Sequence, residues 1–591
     1  MANLRTNHIL AILVLASVLL LVPYGPWLGM PLVFVAVWSS RSGGALRPEK
    51  AFRPTSGVLF IAVLAIAAVS IVFRMAFLEI IPPGLYVDEA ATARNALMWR
   101  QSTDAAWFKA TPLILGEIPN LYLEYVSRIM MVFGDNFFGI RMVSILPSLA
   151  MVALVAWLGT LVGGRWTGLL AALFLACSHW AARSGRIGWD QVMMTALQLA
   201  TLAAMRQGLK DRRVLWAVLA GITLGLCTYT YVACRLVWLH VFVWGALETI
   251  FNRDRRRYMT MFAICLGISA LIAAPYAIYL IGESIGGHDM RTAKLSVFSD
   301  RTPVESVLLI GQNGLSHVLM FHHRGGLYAR DNLPGFPMLD PVTGFLLLVG
   351  LTMLWRIRSM DVRMLITFFC ICVLGGVLSI SREGAPYSFR VANLAAWASL
   401  IAGLGASGLI RWLRLTASKN VPAAVVITAC LSLTVICNAY LLFIMGKRCP
   451  DFVTTFGTVE TRLGLWLKDH PQMRPCIVHG ETLGWKALQT DQWYPDINRT
   501  DSYQPFYSLM AIQLSAGVYE DRPDLAVNPV EPNDLVTLTA SFPSLPSPFV
   551  LVVAPHRADE VSRYYPVRER HDIRDAIGRH LCTALWIGHS R

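Results

Sequence analysis

The sequence predicts an all-α polytopic membrane protein of about thirteen transmembrane helices, with a small C-terminal α/β domain. Of its 591 residues, 55% are hydrophobic and only 15% are charged, and its mean hydropathy is +0.52. Soluble domains carry about 25% charged residues, and apolar runs of about 20 residues are typical of helices that cross a bilayer. Composition therefore excludes a soluble globular protein.

Apolar segments and short polar loops alternate along the first three quarters of the chain. The N-terminal run lacks a convincing cleavage site and continues through Pro23-Tyr-Gly-Pro26 into a second run. We therefore interpret the two runs as a retained helical hairpin and not as a signal peptide. The predicted spans are 8–23, 27–40, 57–81, 140–162, 167–182, 190–206, 214–231, 233–250, 258–281, 341–355, 362–380, 389–411 and 421–445.

The basic residues predict which side each loop occupies. Arg and Lys cluster in the loops near residues 41–53, 206–213, 253–257, 356–363 and 411–419. All five clusters fall on one side if each span crosses once, and the positive-inside rule makes that side cytoplasmic. The outer side then receives residues 82–139, 183–190, 282–340, 381–388 and the chain from 446 onward. Within these loops, 121–133 and 304–320 are predicted to be helices lying in the membrane interface.

Three domains follow from this pattern: an N-terminal transmembrane hairpin with a cytoplasmic loop (1–56), a transmembrane catalytic domain (57–445) and an extracytoplasmic α/β domain (446–591). The last domain is richer in Pro and charge and contains strand-like runs such as Phe549-Val-Leu-Val-Val. Its Cys449, Cys476 and Cys582 could form one disulfide, whose pairing the sequence does not fix. The net charge of +14 lies mostly in loops that orient helices, so we expect no nucleic-acid partner.

An acidic pair lies just beyond the outer end of the third predicted span. Asp88 and Glu89 are either solvated flanking residues or part of a reaction site at the membrane surface, because carboxylates are costly inside hydrocarbon. Other ionisable and aromatic side chains gather in the outer segments. They are Glu117, Arg186, Asp190, Tyr229, Tyr231, Arg235, His322, His323 and Arg390.

Several of these outer residues also have a structural interpretation. Arg186 and Asp190 have the spacing of a helix-end ion pair, and the two tyrosines could belong to an interfacial aromatic belt. The paired histidines could bind a metal with Asp88 or Glu117, although adjacent histidines rarely chelate one ion. The metal ligands therefore stay unassigned, and a divalent cation is a possible cofactor.

Together, these residue types suit the transfer of a sugar from a lipid phosphate. Attack by an acceptor hydroxyl on the anomeric carbon needs a base, and the departing phosphate needs fixed cations. A carboxylate supplies the first, and Arg, which matches phosphate oxygens bidentately, supplies the second.

Several motifs resemble the polytopic glycosyltransferases of the GT-C fold that use lipid-phosphate sugars, including the protein O-mannosyltransferases and the bacterial aminoarabinose transferase of lipid A. They lie between residues 57 and 411 and include Leu85-Tyr-Val-Asp88-Glu89-Ala, Glu117-Ile-Pro119, Gly139-Ile-Arg141, Arg183-Ser-Gly-Arg186-Ile-Gly-Trp-Asp190, Gly225-Leu-Cys-Thr-Tyr229-Thr-Tyr231-Val-Ala-Cys-Arg235, Asn332-Leu-Pro-Gly and Pro386-Tyr-Ser-Phe-Arg390. The aminoarabinose branch has a Lys and a second Pro where this chain has Ile118 and Asn120.

The resemblance implies that Asp88 is the general base or orients it, with Glu89 in support and Asp190 as the second acidic residue. Arg186, Arg235 and Arg390 would contact the donor phosphate, and Glu117, Tyr229, Tyr231, His322 and His323 would line the substrate site. It further implies inversion at the anomeric carbon.

The predicted partners are a polyprenyl-phosphate-linked sugar donor, a glycan, lipid or protein acceptor, and membrane lipid. The predicted location is the bacterial cytoplasmic (inner) membrane, with the active site and C-terminal domain on the periplasmic side. A secondary transporter and a lipid-linked glycan polymerase or ligase are the alternatives. A transporter would carry ionisable residues near the middle of its spans, whereas here charge gathers at one face.

Overall fold

A computed structural model gives the fold of this chain. The structure describes residues 2–22, 26–39, 56–103, 106–113, 116–285, 295–380, 384–416, 423–470, 476–478, 512, 525–526 and 548–588. The predicted turn that contains Arg382 lies partly outside these residues.

Helices dominate the described chain up to residue 445. The first twelve are α1 (Ala2–Leu21), α2 (Pro26–Ser39), α3 (Ser56–Met75), α4 (Val87–Gln101), α5 (Asn120–Phe133), α6 (Phe137–Gly163), α7 (Arg165–Cys177), α8 (His179–Gly185), α9 (Asp190–Asp211), α10 (Val214–Cys227), α11 (Cys234–Phe251) and α12 (Arg255–Ile285). They are followed by α13 (Pro303–Leu319), α14 (Pro341–Met353), a 3-10 turn (Leu354–Arg356), α15 (Ser359–Cys372), α16 (Leu374–Val377), α17 (Leu394–Thr416), α18 (Ala423–Ala439) and a π-helical segment (Tyr440–Met445).

Each of the thirteen predicted spans coincides with a helix. Seven helices of the described chain are long and apolar enough to cross a membrane, and five more apolar helices are shorter than 18 residues. The thirteenth, α9, is 22 residues long but carries charge at both ends, with Asp190 in its first turn and Lys210 in its last. The protein is therefore an integral membrane protein of mostly helical fold, as predicted.

The first of two compact units comprises residues 1–76, 106–122 and 144–445. Its interior is apolar, but ion pairs of low exposure join separate helices within it. Arg206 lies 2.5 Å from Asp361, and Arg363 lies 2.6 Å from Glu248. In each pair the opposite charges compensate one another, which lowers the free-energy cost of burying them. A short antiparallel hairpin of β1 (Ala110–Leu113) and β2 (Gly116–Pro119) also belongs to this unit.

The predicted interfacial helix 304–320 is α13, and its burial pattern is inverted relative to a soluble helix. Val304, Val307 and Leu308 are exposed, whereas Asn313 and His317 are buried. The Asn313 side chain donates to the carbonyls of Val377 (3.1 Å) and Ser379 (3.0 Å). An apolar outer face with polar inner contacts is the pattern expected of a helix in contact with lipid.

The second unit comprises residues 77–105, 123–143 and 446–591. It contains the predicted small C-terminal α/β domain, a five-stranded sheet in the order β4-β3-β5-β7-β6. The strands are β3 (Cys476–Val478), β4 (Leu525–Ala526), β5 (Phe549–Val553), β6 (Val567–Arg574) and β7 (His580–Ile587). β3 runs parallel to β4 and β5, while β7 is antiparallel to β5 and β6.

The central strand β5 buries both of its faces, which explains its unbroken apolar run. Short helices α19 (Gly446–Arg448), α20 (Asp451–Thr455), α21 (Thr458–Asp469), a 3-10 turn (Pro555–Arg557) and α22 (Ala558–Tyr564) complete this unit. Leu463 and Leu467 of α21 pack with Val550 and Val552 of β5. Alternate residues of β5, such as Leu551, pack with α22 instead. In this domain Cys582 is buried and Cys449 is half-buried, and the side chain of Cys476 lies outside the described residues.

Candidate active site

Asp88 and Glu89 lie in the first turn of α4 but in different environments. Both charges suit a helix N-terminus, where the backbone dipole stabilises anions. Glu89 is completely buried, and its carboxylate accepts a hydrogen bond from the backbone N–H of Tyr86 at 3.2 Å. Asp88 is only half-buried. Of the two predicted acids, Asp88 is therefore the more accessible to a substrate.

A buried arginine holds the segment that leads into α4. Arg141, near the start of α6, is fully buried and places its Nε 3.5 Å from a carboxylate oxygen of Glu89. Its guanidinium also donates to the carbonyls of Leu78, Pro82 (3.2 Å) and Gly84 (2.5 Å). One cation therefore fixes three carbonyls of residues 78–84 and the acid next to Asp88. The sequence analysis quoted Arg141 within a motif and predicted no role for it. The signal that could have identified this residue was an Arg near the outer end of a long apolar run.

Arg186, predicted to contact the donor phosphate, is buried and contacts the end of α3. It donates to the carbonyls of Phe73 (2.9 Å) and Ala76 (2.6 Å). Arg74, in the last turn of α3, does the same for α7 through the carbonyl of Ala176 at 2.8 Å. These contacts satisfy carbonyls that a helix C-terminus leaves without partners. They favour a structural role for Arg186 over the phosphate contact that the resemblance implies.

Arg390 and Arg330 lie on a shared aromatic surface. The Arg330 guanidinium lies 4.4 Å from the ring centre of Trp189 and 4.2 Å from that of Phe389. It also forms an ion pair with the neighbouring Asp331 at 2.6 Å. The Arg390 guanidinium lies 5.2 Å from the Phe389 ring, and its side chain is half-buried. Asp331 compensates Arg330, and Arg390 adds a second guanidinium to this aromatic patch.

A buried histidine, which the sequence analysis missed, supports the same patch. His317 of α13 accepts a hydrogen bond from the backbone N–H of Tyr387 at 3.1 Å, through its Nε2. Its Nδ1 lies 2.7 Å from the carbonyl of Asn313. Burial lowers the pKa of His317 to about 4, so the ring is neutral at pH 7. The signal in the sequence was a lone His on the polar face of an interfacial helix.

Glu117, Asp190, Tyr229 and Arg235 are brought into one neighbourhood of the first unit. Tyr276 of α12 packs against Tyr229 with ring centres 5.3 Å apart, and it lies near both Glu117 and Arg235. Cys234, the residue before Arg235, lies near Asp190. The Tyr229 hydroxyl donates to the carbonyl of Ile272 at 2.7 Å.

Within this neighbourhood the exposure of the predicted residues differs. Glu117 and Arg235 are exposed, Asp190 and Tyr231 are half-buried, and Tyr229 is buried. Asp190 is preceded by Trp189, whose backbone N–H donates to the Ser144 hydroxyl at 2.6 Å. The exposed cation and the acids can therefore contact a polar substrate, while Tyr229 acts mainly through packing.

The paired histidines have separate surroundings. His322 is buried, with its Nε2 3.0 Å from the carbonyl of Gly344, and burial lowers its pKa. His323 is half-buried. Among the described residues, no group of three or more His, Cys, Asp or Glu side chains is arranged to hold a metal ion. The predicted roles of both histidines stay predictions.

Comparison with known proteins gives a family match for the middle of the chain. Residues 121–279 match the model of the dolichyl-phosphate-mannose-protein mannosyltransferases. No curated protein sequence matches the chain.

The solved structures to which this chain is similar include ArnT and an archaeal oligosaccharyltransferase. ArnT from Cupriavidus metallidurans bound to undecaprenyl phosphate shares 15% identity at a TM-score of 0.46, covering 90% of this chain and 98% of that one. The oligosaccharyltransferase AglB from Archaeoglobus fulgidus, in complex with an inhibitory peptide and a dolichol-phosphate, shares 13% identity at a TM-score of 0.41, covering 70% and 58%. The family model confirms the predicted resemblance to lipid-phosphate-dependent glycosyltransferases for residues 121–279 of this chain.

Proposed function

We propose that this protein is an inverting glycosyltransferase that moves a sugar from a polyprenyl-phosphate donor to an acceptor hydroxyl at the outer face of the membrane. The observation that carries the proposal is the half-buried Asp88 carboxylate, located on a helix N-terminus beside the buried Glu89–Arg141 pair. The family match of residues 121–279 supports the same reaction class. The outer location rests on the positive-inside pattern of the loops.

The proposed chemistry assigns one role to each type of side chain. Asp88 accepts the proton of the attacking hydroxyl, which raises the nucleophilicity of its oxygen. Arg390 and Arg235 stabilise the charge that develops on the departing lipid phosphate. Glu89 and Arg141 hold the base in position and do not touch substrate. Asp190 and Glu117 contact the sugar or the acceptor.

Replacing the proposed base tests this function directly. Asp88→Asn keeps the size and one acceptor oxygen of the side chain but removes its basicity, so we expect transfer to fall by about 10²- to 10⁴-fold. Purified protein in proteoliposomes, supplied with radiolabelled polyprenyl-phosphate sugars, gives the rate. Asp559→Asn is the matched control, because Asp559 also lies in the first turn of a helix in the same unit. Wild-type transfer by Asp88→Asn would refute the assignment.

A further inference from the structure

The segment that leads into α4 packs directly against residues of the C-terminal region. We call residues 79–86 the Asp88 loop, since they directly precede the turn that carries Asp88, and residues 456–462 the C-terminal clamp. Both belong to the second unit of the structure. The contacts between them involve backbone atoms of the loop, so they act on its path and not merely on its side chains.

Two hydrogen bonds join the clamp to the loop. The Thr461 hydroxyl accepts from the backbone N–H of Leu85 at 2.9 Å and donates to the carbonyl of Gly457 at 2.9 Å. Arg462 donates to the carbonyl of Glu79 at 2.9 Å. Thr461 and Leu85 are both buried, so water cannot replace the Thr461 contact. A buried N–H that loses its acceptor is costly, so the Thr461 hydroxyl stabilises the backbone of Leu85 in this position.

The two backbones also approach too closely for a side chain at residue 84. A Cβ added to Gly84 would collide with the carbonyl oxygen of Phe456 and would lie 2.8 Å from that of Gly457. Next to this approach, the rings of Tyr86 and Phe456 meet edge to face with centres 6.1 Å apart. Tyr86 is the N-cap of α4. The N-terminus of α4, the helix that carries Asp88, thus packs against the clamp.

The clamp is in turn part of the C-terminal sheet domain. Residues 458–462 form the first turns of α21, and Leu463 and Leu467 of this helix lie in the core formed with Val550 and Val552 of the sheet. A displacement of the sheet domain would therefore move the clamp as a rigid body. This continuity gives the domain a mechanical connection to residue 88.

We propose that the C-terminal clamp is a positioning element for catalysis: the sheet domain sets the turnover rate by fixing the Asp88 loop through Thr461 and Gly84. This inference rests on the proposed function of Asp88. It assigns to the C-terminal domain an effect on the chemical step that is separate from any part in binding the acceptor. Thr461 is a positioning residue and not a catalytic one.

Thr461→Val tests the hydrogen bond with almost no change in shape. A base displaced by a fraction of an ångström loses its alignment with the hydroxyl, so we expect kcat to fall by about ten- to a hundredfold with KM within about twofold of wild type. Thr461→Ser retains the hydroxyl and should restore most of kcat. Thr583→Val is the matched control, because it removes a buried threonine hydroxyl that lies on β7 of the same domain, outside the clamp, and donates to the Asp572 carboxylate at 3.1 Å.

Hydrogen exchange on the full-length variants gives a second readout that does not depend on activity. In Thr461→Val, the amides of residues 79–90 should exchange roughly tenfold faster, while those of β5 and β7 stay as protected as in wild type. Gly84→Ala should give the same pattern from the other side of the contact. Protected β5 and β7 amides show that the domain is folded.

The outcomes separate the two proposals. Unchanged exchange of residues 79–90 in Thr461→Val, or equal loss of kcat in Thr461→Val and Thr583→Val, overturns the clamp. Faster exchange with unchanged transfer also overturns it, since positioning would then have no effect on turnover. Wild-type transfer by Asp88→Asn instead refutes the proposed function, and the exchange experiment still decides whether the clamp holds the loop.

Discussion

The buried pair Glu89–Arg141 makes a quantitative prediction about stability. Both side chains are completely buried, and their closest atoms are 3.5 Å apart. Replacing one partner leaves the other as an uncompensated buried charge, which costs about 3–5 kcal/mol. Glu89→Gln retains an acceptor for the Tyr86 N–H and removes only the charge, so its cost should lie near the lower limit, about 3 kcal/mol.

Arg141→Met should cost more than Glu89→Gln. It removes the charge and also the donors to the carbonyls of Leu78, Pro82 and Gly84. Each buried carbonyl left without a donor adds about 1 kcal/mol or more. The double variant contains neither charge, so its cost should fall short of the sum of the single costs by about 2–3 kcal/mol. This shortfall measures the ion pair itself.

A half-exposed pair in the same unit provides the control. Arg100 and Asp135 form an ion pair whose side chains are 30% and 28% exposed. Solvent screens such a pair, and Asp135→Asn should cost no more than about 1 kcal/mol. Thermal unfolding of the detergent-solubilised protein, followed by tryptophan fluorescence, compares all variants. At about 2–4 °C for each kcal/mol in a unit of this size, Glu89→Gln should lower the midpoint by roughly 6–12 °C.

A stabilising role of the buried Glu89–Arg141 pair is refuted if Glu89→Gln is no more destabilising than Asp135→Asn. This role is also refuted if the costs of Glu89→Gln and Arg141→Met add within about 0.5 kcal/mol, because independent sites behave in that way. In either case the buried contact would not be what holds the start of α4.

Two further predictions concern Arg390 and the buried His317 that supports the same aromatic patch. Arg390→Met should lower kcat/KM for the lipid-phosphate donor by about ten- to a hundredfold, since a charge-assisted hydrogen bond is worth about 1.5–3 kcal/mol. Arg324→Met, which replaces an exposed loop arginine, is the control. An equal effect of the two substitutions would contradict the assignment of Arg390 to the donor phosphate. Because burial lowers the pKa of His317 from 6.5 to about 4, the unfolded state binds more protons between these pH values, so stability should rise with pH from about 4 to 6.5 and level off above. Burial also lowers the pKa of His322, which therefore contributes to the same rise of stability with pH. His317→Gln should make this rise smaller in melting curves recorded from pH 4.5 to 7.5. An unchanged pH dependence would contradict the role of burial at His317.

Local pattern was sufficient to predict the helical framework. Apolar run length alone located α3, α6 and α12, because a helix that crosses a bilayer needs about 20 apolar residues whatever its neighbours are. The alternation of strand-like runs with turns likewise predicted β5, whose two faces are both buried. The acidic pair at residues 88 and 89 was also visible, as carboxylates at the end of an apolar run are rare.

Only the tertiary structure decided what the individual charges do. Asp88 and Glu89 are neighbours in sequence, yet Glu89 is buried against Arg141 while Asp88 is half-buried. Arg186 was predicted to meet phosphate, and the fold places it at the carbonyl end of α3.

The physical reason is the range of the interactions. Hydrophobic run length and helix propensity act over a few turns of one segment, so the sequence by itself determined the membrane helices, the central C-terminal strand at Phe549 and the candidate acids. The burial of a charge depends on partners supplied by distant segments, as Arg141 is for Glu89 and Thr461 for Leu85. No local pattern encodes such pairs, and only the packed chain decided them.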